Sequence, residues 1–311
     1  NSDLNYYYPT NTLVTAPEII FFWVARMIMA GLEYKQQIPF QQVYFTGIVR
    51  DKQGRKMSKS LGNSPDLLDM IERLGADSVR FGVIIASPAG NDLLFDESGC
   101  EQGKMFANKL WNALKLLHIF NEKPKQALEN ESLFATEWFG QRLTEIGKQV
   151  EQDIKEFKLS EALKKIYSLV WDDYCSWYLE WIKPAQDHPM HPEHCSKAFY
   201  FYEELMKWLH PFMPFVTEEI YHQLSERKEG DDILMQTMMP SAEPNKEIIA
   251  QGEILKSMIT TIRDVKVKQQ LKPKDEVIIH LPASQQSFCA AIEEIVKKQC
   301  YANDIQYVTE P

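Results

Sequence analysis

Two lysines that lie three residues apart are the side chains of this 311-residue chain best suited to chemistry. Lys56 and Lys59 follow a turn, and the hydroxyl groups of Ser58 and Ser60 lie beside them. A loop of this kind can bring two ammonium groups onto one polyphosphate. Positioned cations stabilise the charge that develops on a transferring phosphoryl group. The spacing therefore predicts a loop that binds a polyphosphate.

The charge around this loop differs from that of the whole chain. The chain has a formal net charge of −10, which is unfavourable for binding nucleic acid through Lys and Arg. Between residues 50 and 60, however, basic residues outnumber acidic ones by five to one. They are Arg50, Lys52, Arg55, Lys56 and Lys59, against Asp51. A generic basic turn is usually only solvated. The complete sequence of residues 54–63, Gly-Arg-Lys-Met-Ser-Lys-Ser-Leu-Gly-Asn, is specific enough to predict an anion-binding segment.

Elements predicted on either side of the loop would position it. Pro17 suits the first turn of a helix, and Gly31 is a plausible end for that helix. Residues 43–49 have the pattern of a short strand, and residues 51–54 that of a turn. The first region, residues 1–97, is therefore predicted to mix helix and strand.

The rest of the chain is predicted to be mainly helical. Residues 98–240 carry long apolar patterns at helical spacing, which indicate a helical bundle. In the clearest of them Ser160 suits the N-cap, and the helix stops before Pro184. Residues 241–311 alternate between helix and strand and indicate a small α/β piece. The predicted fold class is thus mixed but mostly α.

Composition excludes several classes of protein. No apolar run reaches the ~20 residues that cross a bilayer, so no membrane association is predicted. Five cysteines without regular spacing argue against a disulfide framework and for a reducing, cytoplasmic setting. One tempting metal cluster lacks the paired ligand spacing of structural zinc sites, and no metal site is predicted. Its members are His188, His191, His194 and Cys195.

Several stretches together resemble the class I aminoacyl-tRNA synthetases. Lys56-Met57-Ser58-Lys59-Ser60 is similar to the KMSKS signature loop of that family. Residues 19–27, Ile-Ile-Phe-Phe-Trp-Val-Ala-Arg-Met, resemble the helix that lines the amino-acid pocket in its valyl members. Residues 108–113 and 209–220 resemble parts of the anticodon-binding bundle. The resemblance is strong over about residues 6–240.

The resemblance implies roles for the matching loop residues. Lys56 and Lys59 would contact the phosphates of ATP and act as catalytic residues in amino-acid adenylation. Met57, Ser58 and Ser60 would complete the ATP-binding loop.

The resemblance also implies roles outside the loop. Glu18 would accept hydrogen bonds from the ribose hydroxyls of ATP, although the family usually has a Gly-x-Asp triplet there. Ile19 and Trp23 would wall the valine side chain. The residues expected to contact tRNA are Lys104, Asn108 and Lys109.

In the terms of this family, the fold would be a partial Rossmann-like catalytic half-domain over residues 1–97. An anticodon-binding helical bundle would follow over residues 98–240, and then a small α/β segment, residues 241–311, that leads to a missing C-terminal arm. The implied substrates are valine and ATP with Mg²⁺, and the implied macromolecular partner is tRNA(Val). A monomer is expected.

Two elements of the family are absent from the sequence. None of the seven histidines lies in a His-x-Gly-His signature, and no inserted editing domain precedes Trp23. We therefore expect a C-terminal fragment that does not activate valine by itself. Two alternatives remain open: a fragment of an isoleucyl-tRNA ligase, and a non-catalytic RNA-binding module that retains a KMSKS-like loop.

Overall fold

The computed structural model describes five stretches of the chain, residues 2–87, 90–127, 132–184, 188–238 and 242–309, with the side chains of residues 287 and 288 excepted. The backbone forms two units. The first comprises Asn1–Asn108, Val150–Lys164 and Pro211–Val216. The second comprises Lys109–Gln149, Lys165–His210 and Thr217–Pro311.

A β–α–β arrangement follows the short helix α1 (Ser2–Tyr7) in the first unit. Strands β1 (Thr10–Thr15) and β2 (Phe40–Phe45) pair in parallel. The helical segment that connects them contains a 3-10 turn, a π stretch, helix α2 and a second π stretch. Their bounds are Pro17–Ile19, Ile20–Val24, Ala25–Ala30 and Gly31–Lys35. Parallel strands joined through a helix are the unit of Rossmann-like folds, which confirms the predicted fold class of this region.

The connecting helix is longer than the sequence predicted. Gly31 does not end it, because the helix continues to Lys35 and stops at Gln36, whose φ is +53°. A Cβ at Gly31 would lie 2.7 Å from the Tyr8 hydroxyl. Gly31 therefore serves close packing rather than helix termination.

The strand predicted over residues 43–49 is interrupted. After β2, a two-residue strand β3 (Val49–Arg50) pairs in parallel with β4 (Leu93–Leu94). Between them a Cβ on Gly47 would lie 1.9 Å from the Asn91 carbonyl oxygen. The chain thus passes from the β1–β2 pair to the β3–β4 pair at the point where Gly47 lies against the backbone of Asn91.

Two helices follow the lysine loop. Helix α3 (Leu67–Leu74) begins at Asp66, whose carboxylate accepts a hydrogen bond from the Leu68 amide at 2.9 Å. Helix α4 (Ala76–Ile85) carries Asp77, which accepts from the Val216 amide at 2.6 Å. Val216 belongs to residues 209–220, which resemble part of the anticodon-binding bundle. Its bond to Asp77 lies within the first unit.

The remaining helices confirm the helical character predicted for residues 98–240. They are α5 (Glu97–Glu122), α6 (Phe134–Lys155), α7 (Leu159–Ser168), a π stretch (Leu169–Tyr178), α8 (Leu179–Ile182), α9 (Pro192–Leu209) and α10 (Pro214–Leu224). Ser160 is not the N-cap that the sequence indicated. It lies inside α7, and its hydroxyl donates to the Ile85 carbonyl at 2.6 Å. None of the described helices has the length and apolar character needed to span a membrane.

Aromatic side chains form the interior of the second unit. Tyr174 and Tyr202 stack with ring centroids 5.5 Å apart. Each hydroxyl donates to a backbone carbonyl at 2.7 Å, Tyr174 to Ala198 and Tyr202 to Leu110. The buried hydroxyls are therefore satisfied, as the burial of a polar group requires.

Two histidines of the cluster that the sequence analysis rejected as a zinc site, His191 and His194, make capping and packing contacts. Desolvation, followed by the nearby His191, lowers the pKa of His194 to about 4, and its Nδ1 lies 2.6 Å from the Thr136 hydroxyl. His191 Nδ1 accepts from the Glu193 amide and caps α9. His194 is thus a buried histidine that favours its neutral form.

The C-terminal segment has the predicted mixture of helix and strand. Helix α11 (Lys246–Lys268) precedes the parallel strands β5 (Val277–Pro282) and β6 (Ala302–Val308). Between these strands lie two short helices, α12 (Gln286–Cys289) and α13 (Glu293–Cys300).

Candidate functional site

The loop that carries the two lysines begins as a small hairpin. Arg50 and Lys56 form an antiparallel bridge, and the Met57 amide donates to the Val49 carbonyl at 3.2 Å. The turn between them uses Gly54, whose φ of +77° lies in the left-handed region that glycine adopts without strain. The hairpin therefore fixes where Lys56 leaves the β3 strand.

Beyond Lys56 the loop closes into one 3-10 turn, Lys59–Leu61. Ser58 is its N-cap, and its hydroxyl accepts from the Leu61 amide at 3.2 Å. The Ser60 hydroxyl lies 3.1 Å from that of Ser58. Both serines thus take part in hydrogen bonds of the turn, and their role in binding ATP stays a prediction.

Asp51 and Asn63 hold the two ends of the loop together. Asp51 is 7% exposed and accepts from the Arg55 amide at 2.9 Å and from the Asn63 side-chain amide at 2.9 Å. Asn63 in turn accepts from the Ser58 amide at 2.9 Å and donates to the Lys56 carbonyl at 3.3 Å. The Asn63 hydrogen bond, and then Arg55, lower the pKa of Asp51 to about 2 against the effect of burial, so its carboxylate is ionised at neutral pH.

Replacing Asn63 with alanine should disorder the loop without unfolding the protein. The variant loses three hydrogen bonds, to Asp51, Ser58 and Lys56. Each such bond contributes about 0.5–1.5 kcal/mol, or about 1.5–4.5 kcal/mol for the three, so a reaction that needs the ordered loop should slow by about 10-fold to 2,000-fold. Native-state hydrogen exchange at the Ser58 amide should accelerate.

The matched control for Asn63 is Gln53→Ala, which removes an amide of the same turn. Gln53 Oε1 accepts only a long contact of 3.3 Å from exposed Arg55. Its loss should leave the exchange of the Ser58 amide unchanged. If both variants accelerated exchange equally, Asn63 would have no special place in the loop.

Most of the basic residues of the segment are neutralised by carboxylates of the first unit, three of which lie outside the segment. The ion pairs are Arg50–Asp92, Lys52–Asp96, Arg55–Asp51 and Lys56–Glu18. Lys59 is exposed, and within the described residues its ammonium group has no ion pair or hydrogen bond. The local charge that the sequence predicted is therefore available to an anion mainly at Lys59.

Glu18 meets the loop directly. The Lys56 ammonium lies 3.1 Å from Oε1 and 3.0 Å from Oε2 of the Glu18 carboxylate, across 38 residues of sequence. Both side chains are about half exposed, and pairs of this kind contribute only about 0–1 kcal/mol. The contact brings the start of the helical segment beside the loop, yet it can open at small cost.

Ile19 and Trp23 lie on that helical segment, four residues apart. Ile19 is half-buried, and Trp23 is 53% exposed with its ring edge-on to Phe22 at 5.9 Å. Trp23 belongs to the π stretch Ile20–Val24, and such stretches are frequent at functional sites. Their role as walls of a valine pocket stays a prediction.

The residues expected to contact tRNA all lie on α5. Lys104 is exposed, but its ammonium donates to the Arg73 carbonyl at 2.9 Å. Lys109 is half-buried, with its ammonium 5.3 Å from the centre of the Trp171 ring. Asn108 is exposed. The two lysines thus have intramolecular contacts, and the assignment to tRNA stays a prediction.

Comparison with known protein families decides how this geometry is classified. The family described as tRNA synthetases class I (I, L, M and V) matches residues 1–96. The anticodon-binding domain of tRNA ligase matches residues 136–281. The chain belongs to the class I aminoacyl-tRNA synthetases. The lysine loop therefore lies in the part that matches the synthetase family itself.

Curated relatives of this synthetase chain are valine–tRNA ligases. That of Phocaeicola vulgatus is 46% identical over 308 residues, which cover 99% of this chain and 35% of the relative. That of Porphyromonas gingivalis is 46% identical over 279 residues, which cover 90% of this chain and 32% of the relative. The chain thus spans about a third of the length of these relatives.

Solved structures share the fold of this synthetase chain. The leucyl enzyme of Agrobacterium radiobacter K84 was solved as a ternary complex with tRNA, and it matches with a TM-score of 0.55 and 18% identity. The match covers 78% of this chain and 29% of the leucyl chain. The Mycobacterium tuberculosis methionyl-tRNA synthetase, solved with methionyl-adenylate, matches with a TM-score of 0.55 and 20% identity. This match covers 78% of this chain and 51% of the methionyl chain. At these identities the likeness shows the fold alone.

Sequence reasoning missed the residues that frame the loop. The sequence indicates Asp51 only as part of a turn, and it does not single out Asn63. Asp92 was not singled out, although the Ile48 amide, and then Arg50, lower the pKa of its carboxylate. A turn-forming Asp followed by Gly three residues later was the only local signal, and nothing in the sequence indicated a partner 42 residues away.

Proposed function

We propose that this chain is part of a valine–tRNA ligase. The whole protein would join valine and ATP to valyl-adenylate with release of pyrophosphate. It would then transfer the valyl group to the 2′-hydroxyl of the terminal ribose of tRNA(Val). The observation that carries the proposal is the Glu18–Lys56 contact, because it brings the helix with Ile19 and Trp23 beside a loop with an exposed lysine.

The loop lysines are suited to the first of these steps. An oxygen of the valine carboxylate would attack the α-phosphorus of ATP, and the bond to pyrophosphate would break. Negative charge then grows on the departing pyrophosphate. Lys59, and Lys56 once it leaves Glu18, would place ammonium groups there, while Mg²⁺ would arrive bound to ATP as part of the substrate.

Glu18 and ATP would compete for the ammonium group of Lys56. A triphosphate carries several negative charges and Glu18 only one, so ATP would compete for the Lys56 ammonium group. The surface pair contributes about 0–1 kcal/mol, which ATP binding easily exceeds. Glu18 released in this way would be available to the ribose hydroxyls.

The valine side chain would lie against Ile19 and Trp23. An aliphatic and an aromatic wall suit a branched apolar substrate without a polar group. The tRNA would meet the exposed face of α5, where Lys104 and Asn108 are exposed. Lys104 and Lys109 would exchange their present contacts for phosphate.

The test is ATP–pyrophosphate exchange by the full-length protein that contains this chain, with valine and isoleucine as competing substrates. We expect valine to be preferred by at least about tenfold, the lower range for a one-methylene difference in an apolar pocket. Preference for isoleucine would replace the proposal with the isoleucyl alternative. Absence of exchange with either amino acid would favour the non-catalytic RNA-binding module.

A further inference from the structure

Three ligand-bearing side chains converge on helix α10 in the second unit, away from the residues of the proposed reaction. Glu218 and His222 lie one turn apart on the helix, and Asp232 lies in the loop that follows it. His222 Nε2 is 3.2 Å from Glu218 Oε1 and 3.3 Å from Asp232 Oδ1. Among the described residues, no other group of three His, Cys, Asp or Glu side chains brings its ligand atoms equally close together.

The loop is built to bring Asp232 to this position. Gly230 has a φ of +82°, which turns the chain back toward the helix. Asp231 is already engaged, since it accepts from the Tyr221 hydroxyl at 3.1 Å. Asp232 occupies the N-cap position of the 3-10 turn Ile233–Met235 but makes no capping hydrogen bond.

Glu218 takes over that capping role. Its Oε1 accepts from the Ile233 amide at 2.9 Å, so the glutamate anchors the loop as well as facing His222. The carboxylate of Asp232, which the turn does not use, is left directed at the imidazole. Glu218 is therefore held in place by a backbone amide and does not depend on attraction to His222 alone.

One proton cannot satisfy this arrangement well. The Nε2 atom of an imidazole donates at most one hydrogen, along one direction in the ring plane. The two carboxylate oxygens lie at nearly equal distances from Nε2, so one hydrogen cannot point at both of them. A divalent cation in place of the proton would bind both oxygens and the nitrogen.

The spacing also suits such a cation. Zinc binds His nitrogen and carboxylate oxygen at about 2.0–2.2 Å, so neighbouring ligands of a tetrahedral site lie about 3.3–3.5 Å apart. The two observed separations from His222 are close to that value. One imidazole and two carboxylates suit Zn²⁺ and its neighbours in the transition series better than Mg²⁺ or Ca²⁺, which prefer oxygen ligands.

We propose that Glu218, His222 and Asp232 bind Zn²⁺ or a similar divalent transition-metal ion. The inference stands apart from the proposed aminoacylation, and it differs from the sequence-based expectation that the chain has no metal site. His222 is 39% exposed at its side chain, which leaves room for a water molecule as the fourth ligand. The nearby Arg227 is paired with Glu203. The bound ion would tie the loop after α10 to the helix.

The experiment is a calorimetric titration of the metal-free 311-residue chain with zinc. We expect one Zn²⁺ per chain, and a Tm that rises with zinc because the ion binds only the folded form. His222→Ala should weaken binding by at least about 10-fold to 100-fold, since even outer-shell partners of a metal ligand have effects of that size.

His280→Ala is the matched control, because His280 is an exposed histidine on strand β5. It should bind zinc like the unmodified chain. The proposal is overturned if the unmodified chain binds no zinc, or if the two histidine variants lose affinity equally. Asp232→Asn decides the matter if His222→Ala fails to fold, since it replaces an exposed carboxylate by an amide of the same shape. Unchanged zinc affinity in that variant would also reject the site.

Discussion

Lys59→Ala should slow formation of valyl-adenylate by about 100-fold to 1,000-fold in the full-length protein, the usual effect of removing one group that stabilises transition-state charge. Lys59 is the exposed lysine of the loop, whereas Lys56 and the other basic residues of the segment are paired with carboxylates. Its ammonium is thus the one most available to pyrophosphate. Single-turnover adenylation under saturating ATP measures the rate.

Valine binding should change little in the same variant. The lysine would act on charge that appears only as pyrophosphate departs, so its loss removes transition-state stabilisation rather than ground-state affinity. Equilibrium binding of valine provides the second measurement. Equal losses in adenylation rate and in valine affinity would contradict the assigned role.

Lys52→Ala is the matched control for Lys59. Lys52 is an exposed lysine of the same segment, but it is paired with Asp96 at 3.1 Å and lies on the turn before the loop. Its removal should reduce the adenylation rate by no more than a few-fold, because surface pairs contribute about 0–1 kcal/mol. A loss comparable with that of Lys59→Ala would show that general positive charge, rather than position, governs the rate.

Lys266→Met should lower the stability of the C-terminal α/β segment by about 3 kcal/mol, because a buried polar group without its partner costs about 1–3 kcal/mol and several are involved. Lys266 is 4% exposed and donates to the carbonyls of Pro273, Asp275 and Cys300 at 3.3, 2.6 and 2.6 Å. Methionine has similar length but no donor. The ammonium therefore joins α11 to the start of β5 and the end of α13.

Native-state hydrogen exchange at the amides of β5 and β6 measures this effect locally, which avoids assuming that both units unfold together. Lys268→Met serves as the control, because Lys268 is exposed on the same helix. It should change stability by no more than about 0.5 kcal/mol. Similar exchange rates in the two variants would show that the three carbonyl contacts contribute little.

Local sequence information was sufficient where the signal lies within a few residues. The string Lys56-Met57-Ser58-Lys59-Ser60 identified the family because a fixed string of that length is specific by itself. Apolar residues at helical spacing predicted the helices between residues 98 and 240, since a periodicity of 3.6 reports which face is buried. The sequence also predicted the mixture of helix and strand near the C-terminus, whereas the parallel pairing of these strands is known only from the structure.

Local information failed where a residue answers to a distant neighbour. Gly31 has the type expected at a helix end, yet Tyr8, Gln37 and Pro39 lie close to where its Cβ would be. Ser160 has the type expected of an N-cap, yet its hydroxyl bonds to Ile85, 75 residues away. Both residues satisfy a local rule, but a tertiary contact determines their role.

The sequence by itself thus determined the family and the mainly helical character of the chain, and it predicted which lysines are suited to phosphate. Only the tertiary structure decided which of those lysines is available, because ion pairs with Glu18, Asp92 and Asp96 depend on chain separations that no local pattern encodes. The same holds for Glu218, His222 and Asp232, which no motif spacing connects. Electrostatic and ligand contacts depend on distance in space, whereas sequence patterns report only distance along the chain.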